Sequence, residues 1–507
     1  MKIEVFHNTI KSSLWGLLSK LFTLLCAFAV RTVIIYKLGT EYVGLDGLFS
    51  SILTLLNLSE LGLGAAIVFR MYSCIVAEDY QTINQLLYLY KKAYAIIAVI
   101  IGVIGCVISF FIKTLIHGDI PDGINVYILY FLFLANTVSG YLFAAYRTAL
   151  FTAFQRNDLK AKVQLFSDFI MYGLQIVVLI VCNNYYYYAG VVLLIIVPRN
   201  FLYTYLSHKH FPGLNPTNMP PRSITNDLYN RVVPLIGHKV GGAFLVSIDS
   251  IIISAFLGLK TLGLYNNYYY IITAIIGITS IIQQALVAGI GNKIITLSDV
   301  NVYRLYIKIS FAWRWLIGCC AICFACLAQP FITIWIGKRH LMPTYIVVAM
   351  SFYYYLWQFR IIGMTFKDAA GLWKNDWFKP YVGMIINSIL SAVLVYLTKN
   401  LLFVLIPTCF VFAFLYFPVE TYVISHNVLH VHPWLIIKKN VLHTLLICLV
   451  GILTFFICSR IVDDSFGGFV CRALISVTFP NMVFFLLLHK TEAFQMIMPY
   501  IKKLFHN

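Results

Sequence analysis

The sequence has few charged residues and no polar stretch long enough to form a separate water-soluble domain. Only 11% of its 507 residues are Asp, Glu, Lys or Arg, whereas 61% are hydrophobic, and the mean hydropathy is +0.85. Such values exclude an ordinary soluble enzyme or regulator. They predict an all-α polytopic membrane protein.

Several functional signatures are also missing. No A-x-A-like cleavage site follows the first apolar run, so this run is predicted to remain as the first helix. No G-x-x-x-x-G-K-[ST] motif is present, which argues against a P-loop ATPase. Neither paired carboxylates nor a nucleophile with a base lies on the predicted outer face, so we do not expect an enzyme. We expect no metal or cofactor, because the cysteine run 319–326 lacks His or acidic ligands.

Apolar runs of about 20 residues, the length that crosses a bilayer core, occur about fourteen times in the sequence. Of the 37 Lys and Arg residues, only eight fall on one face of the predicted topology, which makes both termini cytoplasmic by the positive-inside rule. The predicted spans are 13–36, 44–68, 89–112, 124–146, 164–182, 185–206, 232–257, 264–289, 311–336, 341–363, 381–398, 402–424, 440–459 and 469–489.

The second half of the chain repeats the first at a nearly constant offset. A duplication of this kind, around a central site, is typical of transporters that alternate access between the two membrane faces. It predicts four segments: an N-terminal six-helix lobe (1–206), a Pro- and Asn-rich cytoplasmic linker (207–230), a second six-helix lobe (231–425), and a further helix pair with a cytoplasmic tail (426–507). The matched positions are Lys20 with Lys239, Leu38-Gly39 with Leu257-Gly258, Gly44-Leu45 with Gly263-Leu264, the segment 111–118 with 331–337, and Arg156-Asn157-Asp158 with Lys374-Asn375-Asp376.

The first span carries two cations. Lys20 and Arg31 are eleven residues apart, so they share one helix face about 16 Å apart along the axis. Ionisable groups at bilayer depth usually face a cavity or a partner. The second span runs antiparallel to the first, so that Glu60 is predicted at the depth of Lys20 and Asp46 near the depth of Arg31. Lys20 with Glu60 and Arg31 with Asp46 are therefore the predicted ion pairs.

The seventh span repeats this pattern with His238, Lys239 and Asp249, and Arg314 and Arg360 lie near the cytoplasmic ends of the ninth and tenth spans. These cations predict an anionic substrate, although snorkelling to the interface or structural ion pairing is the alternative for each. Asp249 is either a proton or cation site or the counter-ion of Lys239.

Polar and aromatic residues that could bind sugars follow in the eighth span. The candidates are Asn266, Asn267, Tyr268, Tyr269 and Tyr270. A second cluster, Tyr185 to Tyr188, falls in a predicted outer turn, where an interfacial aromatic belt is the favoured interpretation.

Three stretches resemble the polysaccharide-transporter family of the multidrug/oligosaccharidyl-lipid/polysaccharide flippase superfamily, which includes Wzx-type flippases of O-antigen and capsule repeat units. They are RTVIIYKLGTEYVGLDGLFSSILTLLNLSELGLGAAIVFRMY (31–72), PFITIWIG (330–337) and FKDAAGLWKNDWFKPYVGMIINSILSAVLV (366–395).

The resemblance implies two six-helix lobes around a cationic cavity in a bacterial cytoplasmic membrane. The cargo would be an undecaprenyl-pyrophosphate-linked oligosaccharide for lipopolysaccharide, capsule or exopolysaccharide synthesis. A polysaccharide polymerase and chain-length machinery would be partners alongside membrane lipids, and no nucleic acid is expected. The alternatives are a multidrug exporter of the same superfamily and a membrane polymerase or ligase that acts on the same lipid carrier.

Overall fold

A computed structural model describes residues 5–57, 63–118, 120–142, 145–461, 463 and 465–505. Within these ranges the chain forms helices and no strand, which confirms the predicted all-α class. The helices up to the linker are α1 (Val5–Lys37), α2 (Thr40–Leu56), α3 (Leu63–Val76), α4 (Tyr80–Ser109), α5 (Val126–Leu142), α6 (Ala145–Ala153), α7 (Asn157–Val181) and α8 (Tyr185–His210).

After the linker, long helices alternate with short ones. In the span that contains α15 and α16, two π-helical segments, Val411–Tyr416 and Ser425–Leu429, follow the α-helical parts. The helices are α9 (Arg222–Leu257), α10 (Leu259–Thr296), α11 (Asp299–Ile336), α12 (Thr344–Phe359), α13 (Ile361–Ala369), α14 (Lys379–Thr398), α15 (Leu402–Phe410), α16 (Phe417–Ile424), α17 (Pro433–Ser459), α18 (Phe466–Leu488) and α19 (Glu492–Phe505).

Eleven helices among the described residues are long and apolar enough to cross a membrane. The pair α5 and α6, with a 53° bend between the two helices, passes the same test when taken together and gives a twelfth if it forms one span. The remaining two predicted spans coincide with α2 and α3, of 17 and 14 residues, and with the 16-residue α12. The protein is therefore a multi-pass membrane protein, as its composition predicted.

The chain divides into two compact units, Met1–Gly263 and Leu264–Asn507. In the first unit, α1 packs along α7, α7 against α8, and α2 against α9. In the second, α11 packs against α12, α17 and α18, and α14 packs against α15. The predicted lobe boundaries rest on the sequence repeat, not on compactness, and they stay a prediction.

The first part of the predicted linker is tied to the N-terminal helices. Arg147 on α6, which is only 4% exposed, donates to the Leu214 carbonyl at 2.9 Å and to Asn215 Oδ1 at 2.9 Å. The Asn215 amide donates to Asn84 Oδ1 on α4, also at 2.9 Å. These bonds give the linker a defined path although its Pro and Asn content disfavours a helix.

The backbone repeats where the sequence repeats. Residues with a positive φ, which mark the turns between helices, recur at nearly constant separation along the chain. The pairs are Gly39 with Gly258, Gly118 with Gly337, Gln155 with Gly371, Asn183 with Lys399, and Gly213 with His430. These turn positions of the two copies therefore correspond.

Two glycines of the repeat form a reciprocal contact inside the first unit. A Cβ atom at Gly44 on α2 would overlap the carbonyl oxygen of Leu259, and a Cβ at Gly263 on α10 would overlap the carbonyl oxygen of Thr40. Thr40 and Leu259 are separated along the chain by the same offset as Gly44 and Gly263, so equivalent positions of the two copies touch each other. Only residues without a side chain permit this backbone approach.

Candidate functional site

Two ionisable groups, one on α1 and one on α2, lie beside two tyrosines of α8. Arg31 on α1 and Asp46 on α2 interact electrostatically, and both also interact with Tyr185 and Tyr188. The Tyr185 hydroxyl donates to Asp46 Oδ1 at 3.5 Å. α1 and α2 pack against each other, which brings Arg31 and Asp46 into the same region.

Tyrosine rings enclose this pair on the side of α8. Tyr185 is only 1% exposed; its ring stacks on Tyr188 with 5.0 Å between centroids and meets the edge of Tyr42 at 5.1 Å. α8 begins here because the Asn184 side chain caps it, accepting from the Tyr186 and Tyr187 amides. Tyr187 is 60% exposed. The tyrosine run thus has an inward side near Arg31 and an outward side, whereas the sequence favoured an interfacial belt for the whole run.

Another acid near α1, Asp168 on α7, is buried, and sequence reasoning did not identify it. It is 2% exposed and accepts hydrogen bonds from Thr23 on α1 at 2.8 Å and from Gln164 at 2.7 Å. Arg199 on α8 lies 4.0 Å from its Oδ1. An acidic residue inside the predicted fifth span was a sufficient signal to find it, by the same rule that selected Asp46.

Of the other charged residues predicted for the site in the first half, the structure describes the side chains of only two, and these differ in exposure. Lys20 lies on α1 with an exposed side chain, whereas Asp249, on α9, is 1% exposed. Glu60 lies outside the described residues. His238 and Lys239 lie on α9, but their side chains are not among those described, so their predicted roles remain predictions.

In the second unit, Arg360 does not stand alone. Its guanidinium donates to both Glu420 oxygens, from Nε at 3.2 Å and from Nη2 at 2.9 Å. It also lies over the rings of Phe412 and Tyr416, 4.9 and 4.7 Å from their centroids. The π-helical segment before α16 carries both rings, so one span supplies the carboxylate and the aromatic faces.

The ion pair of Arg360 extends into a buried network. Lys379 Nζ lies 2.6 Å from Glu420 Oε1 and 2.6 Å from Asp376 Oδ2, and Lys367 Nζ donates to Asp376 at 2.8 and 3.0 Å. All five charged side chains are at most 7% exposed. Glu420 lies in a predicted span and could have been found there, whereas charges such as Lys367 and Asp376 are ordinary between spans and gave no signal.

Arg314 lies on α11 in the wall of a cavity that Arg360 and Glu420 also line. It is 6% exposed. Two of the predicted anion contacts, Arg314 and Arg360, therefore lie in the wall of one cavity.

The predicted sugar contacts lie near the start of α10. Asn266 and Asn267 are 7% and 0% exposed. Tyr268, fully buried, donates from its hydroxyl to Gln329 Oε1 at 2.7 Å and accepts from the Met342 amide at 3.2 Å. Tyr269 and Tyr270 are partly exposed, which leaves their rings more accessible than that of Tyr268.

The structure is similar to solved transporters at low sequence identity. The lipid II flippase MurJ, in an inward closed conformation, matches with a TM-score of 0.64 and 13% identity, over 95% of this chain and 100% of that chain. An inward-facing multidrug resistance MATE family transporter of the MOP superfamily matches with a TM-score of 0.60 and 16% identity, over 78% and 91%. A MOP superfamily transporter from Pyrococcus furiosus matches with a TM-score of 0.54 and 13% identity, over 82% and 96%.

No curated protein matches the sequence. The family model described as "Polysaccharide biosynthesis protein" matches residues 9–287, more than half of the chain. This segment includes most of α1 with Lys20 and Arg31, both glycines of the reciprocal contact, and the predicted sugar contacts on α10. With its helical fold of the MOP transporter type, the chain thus belongs to the polysaccharide biosynthesis protein family.

Proposed function

We propose that the protein is a flippase that moves an undecaprenyl-pyrophosphate-linked oligosaccharide repeat unit across the bacterial cytoplasmic membrane by alternating access. Its product would feed O-antigen, capsule or exopolysaccharide synthesis. The observation that carries the proposal is the match to a polysaccharide biosynthesis family over the segment that holds Lys20, Arg31 and Lys239.

The chemistry of the cargo supports a cationic site. A pyrophosphate that leaves water needs fixed cations, and Lys or Arg side chains supply charge-assisted hydrogen bonds to its oxygens. Arg31 interacts with Asp46, which accepts a hydrogen bond from the Tyr185 hydroxyl, and these neighbours would orient the guanidinium for the anion. We place Lys20, Arg31 and Lys239 at the pyrophosphate, and Asn266, Asn267 and the exposed parts of Tyr269 and Tyr270 at the sugars.

The membrane potential also favours transport of an anionic cargo from the cytoplasm to the outer face. With both termini in the cytoplasm, an anionic headgroup moves outward along an inside-negative potential, worth about 2.3 kcal/mol per charge for every 100 mV. Transport of this kind requires no nucleotide site. Asp46, Glu60, His238 and Asp249 are the candidates for coupling to an ion, and a polysaccharide polymerase and chain-length proteins are the proposed partners.

A multidrug exporter is the second candidate, and acidic residues in the predicted spans support it. Asp46, Asp168 and Asp249 all lie in predicted spans of the first unit, where an acidic residue could attract a cationic drug. Resistance assays decide between the two: an exporter protects cells from cationic drugs, whereas a flippase changes surface polysaccharide and leaves drug sensitivity unaltered.

Deletion of the gene in its host is the first test. We expect loss of the surface polysaccharide and accumulation of lipid-linked repeat units on the cytoplasmic side, where an external glycosidase cannot reach them. If single repeat units instead appear at the surface without being polymerised, the protein is a polymerase. If the polysaccharide is unchanged, the flippase proposal is wrong.

Charge exchange at Arg31 tests the site itself. We expect Arg31→Glu to lower polysaccharide export roughly 10-fold to 100-fold, because one charge-assisted hydrogen bond contributes about 1.5–3 kcal/mol. Lys37→Glu, at the exposed end of the same helix, is the control and should export normally. Membrane content of each variant, measured by immunoblot, shows whether the protein still folds.

The double variant Arg31→Asp with Asp46→Arg separates substrate binding from ion pairing. It restores the pair but moves the cation from α1 to α2. If export recovers fully, Arg31 is a structural partner of Asp46 and not a pyrophosphate contact. Continued loss of export, with normal membrane content, supports direct binding of the anion by Arg31.

A further inference from the structure

A narrow cavity lies in the second unit between α11, the start of α13, α16 and α17. Its polar wall is formed by seven side chains: Tyr306, Ser310, Arg314, Arg360, Glu420, Thr421 and Asn440. The cavity volume is about 20 Å³. Since one water-sized ligand needs roughly 10–15 Å³, this space holds a single small ligand and not a pyrophosphate.

Three polar side chains in the wall of this cavity each have a buried polar atom without a hydrogen bond to another described residue. Arg314 forms no hydrogen bond or ion pair with another described residue, and its Nε is buried. The Ser310 hydroxyl and the Asn440 amide oxygen are likewise buried without a hydrogen bond among the described residues, and the Tyr306 hydroxyl lies near both side chains. Arg314, Ser310 and Asn440 are only 6%, 5% and 3% exposed. Buried polar groups are normally satisfied, so three such groups around one space form a site for a small polar or charged ligand.

The charged side chains in the wall determine the sign of the charge that the ligand must carry. Arg314, Arg360 and Glu420 are the charged side chains that line the cavity, which leaves one positive charge in excess. Glu420 is already bound by Arg360 and by Lys379. The interactions found at Arg314 are with Tyr306, Tyr355 and His443, none of which is an acid. An uncompensated guanidinium at this depth is costly, and one monovalent anion would neutralise it.

We propose that Arg314 binds a small monovalent anion of the halide class, chloride in the cell. The guanidinium supplies charge-assisted N–H donors, and the hydroxyls of Ser310 and Tyr306 can also donate. The amide of Asn440 donates when it is flipped, which exchanges the positions of its oxygen and nitrogen. The anion site would thus be separate from the proposed pyrophosphate site, and Arg314 would serve it instead of the cargo.

The site also assigns a role to the helix pair that lies outside the duplication. Asn440 belongs to α17, so the bound anion links α11 to the first helix of that pair. At the offset that pairs Gly118 with Gly337, the first-copy equivalent of Arg314 is Ala95 on α4. The anion site is therefore a property of the second half alone, and we expect its occupancy to hold α17 against α11.

Anomalous diffraction or another element-specific map of the full-length protein in bromide is the direct test. We expect a bromide peak in hydrogen-bonding contact with Arg314, beside Ser310 and Asn440. Bromide peaks elsewhere in the wild type, with none at Arg314, would overturn the proposal. This measurement needs no variant and so does not depend on a substitution that folds.

Thermal unfolding gives a second, independent readout. In the wild type, replacing gluconate by chloride at constant ionic strength should raise Tm by about 2 °C in a saturable manner, because the anion binds the folded state only. Arg314→Gln should lose this response, whereas Arg304→Gln, on an exposed position of the same helix, should keep it. An equal chloride response in wild type and Arg314→Gln would contradict an anion bound by this guanidinium.

Discussion

Asp158 in the first copy of the repeat and Asp376 in the second occupy matching positions of the sequence, and both side chains are fully buried. Their partners differ. Asp158 binds Arg156 at 3.0 Å and Lys162 at 3.9 Å, and these cations are 28% and 39% exposed. Asp376 binds Lys367 at 2.8 Å and Lys379 at 2.6 Å, with the two lysines only 2% and 3% exposed.

This difference shows that the duplication conserved the backbone but not the electrostatics. In the first copy the cations reach water, so the ion pairs around Asp158 contribute little to stability. In the second copy the cations depend on Asp376 and Glu420 for compensation, because both lysines and Arg360 are buried. Breaking a buried pair leaves an uncompensated charge, and that is where a substitution has its largest effect.

Asp376→Asn should have the largest effect. It leaves Lys367 and Lys379 buried with one acid fewer, and we expect the free energy of unfolding to fall by about 3–5 kcal/mol. Unfolding of the purified protein in mixed micelles measures this change in free energy. Adding Lys367→Met should recover part of the loss, since it removes a buried charge; no recovery would argue against charge burial as the cause.

Substitutions at the reciprocal glycine contact should cause the second-largest loss of stability. Gly44→Ala and Gly263→Ala each force a Cβ against a backbone carbonyl, which should cost about 1–3 kcal/mol. The two costs should be similar, and the double variant should lose less than their sum because both act on one contact. Gly242→Ala, whose Cβ meets nothing within 4 Å, is the control. Clearly unequal costs would show that the two copies do not meet symmetrically.

The matched change in the first copy, Asp158→Asn, should be mild. Arg156 and Lys162 can turn to water once the carboxylate charge is removed, so we expect a loss of about 1 kcal/mol or less. The same unfolding assay compares it with Asp376→Asn. A loss as large as that of Asp376→Asn would contradict the distinction between exposed and buried cations.

The smallest expected effects lie at one pair of turns. Gln155 (φ 56°) and Gly371 (φ 71°) occupy corresponding positive-φ positions, but only the second is glycine. Gln155→Gly should raise stability, and Gly371→Ala should lower it, each by about 1 kcal/mol or less. A Cβ at Gly371 would meet only Trp373, at 3.9 Å, so this comparison isolates backbone conformation. A stabilising Gly371→Ala would refute that explanation.

The sequence predicted the membrane class and the long helices because apolar runs of bilayer length leave few alternatives. The same logic selected Arg31 and Asp46, which interact in the structure, and it could have selected Asp168 and Glu420, which also lie in predicted spans. It could not identify Lys367, Asp376 and Lys379 as buried. Charges between spans are usually solvated, and their burial depends on which helices cover them.

The sequence by itself determined the helical class, the long apolar helices and the repeat, since hydropathy and matched motifs are local properties of the chain. It also placed cations in the spans that the proposed function uses. Only the tertiary structure decided which charges are compensated: Arg360 meets Glu420 from a helix 60 residues away, whereas Arg314 faces a small cavity without an acidic partner among the described residues. The physical reason is that the free energy of a buried charge depends on neighbours brought by other helices, and the linear sequence does not specify these contacts.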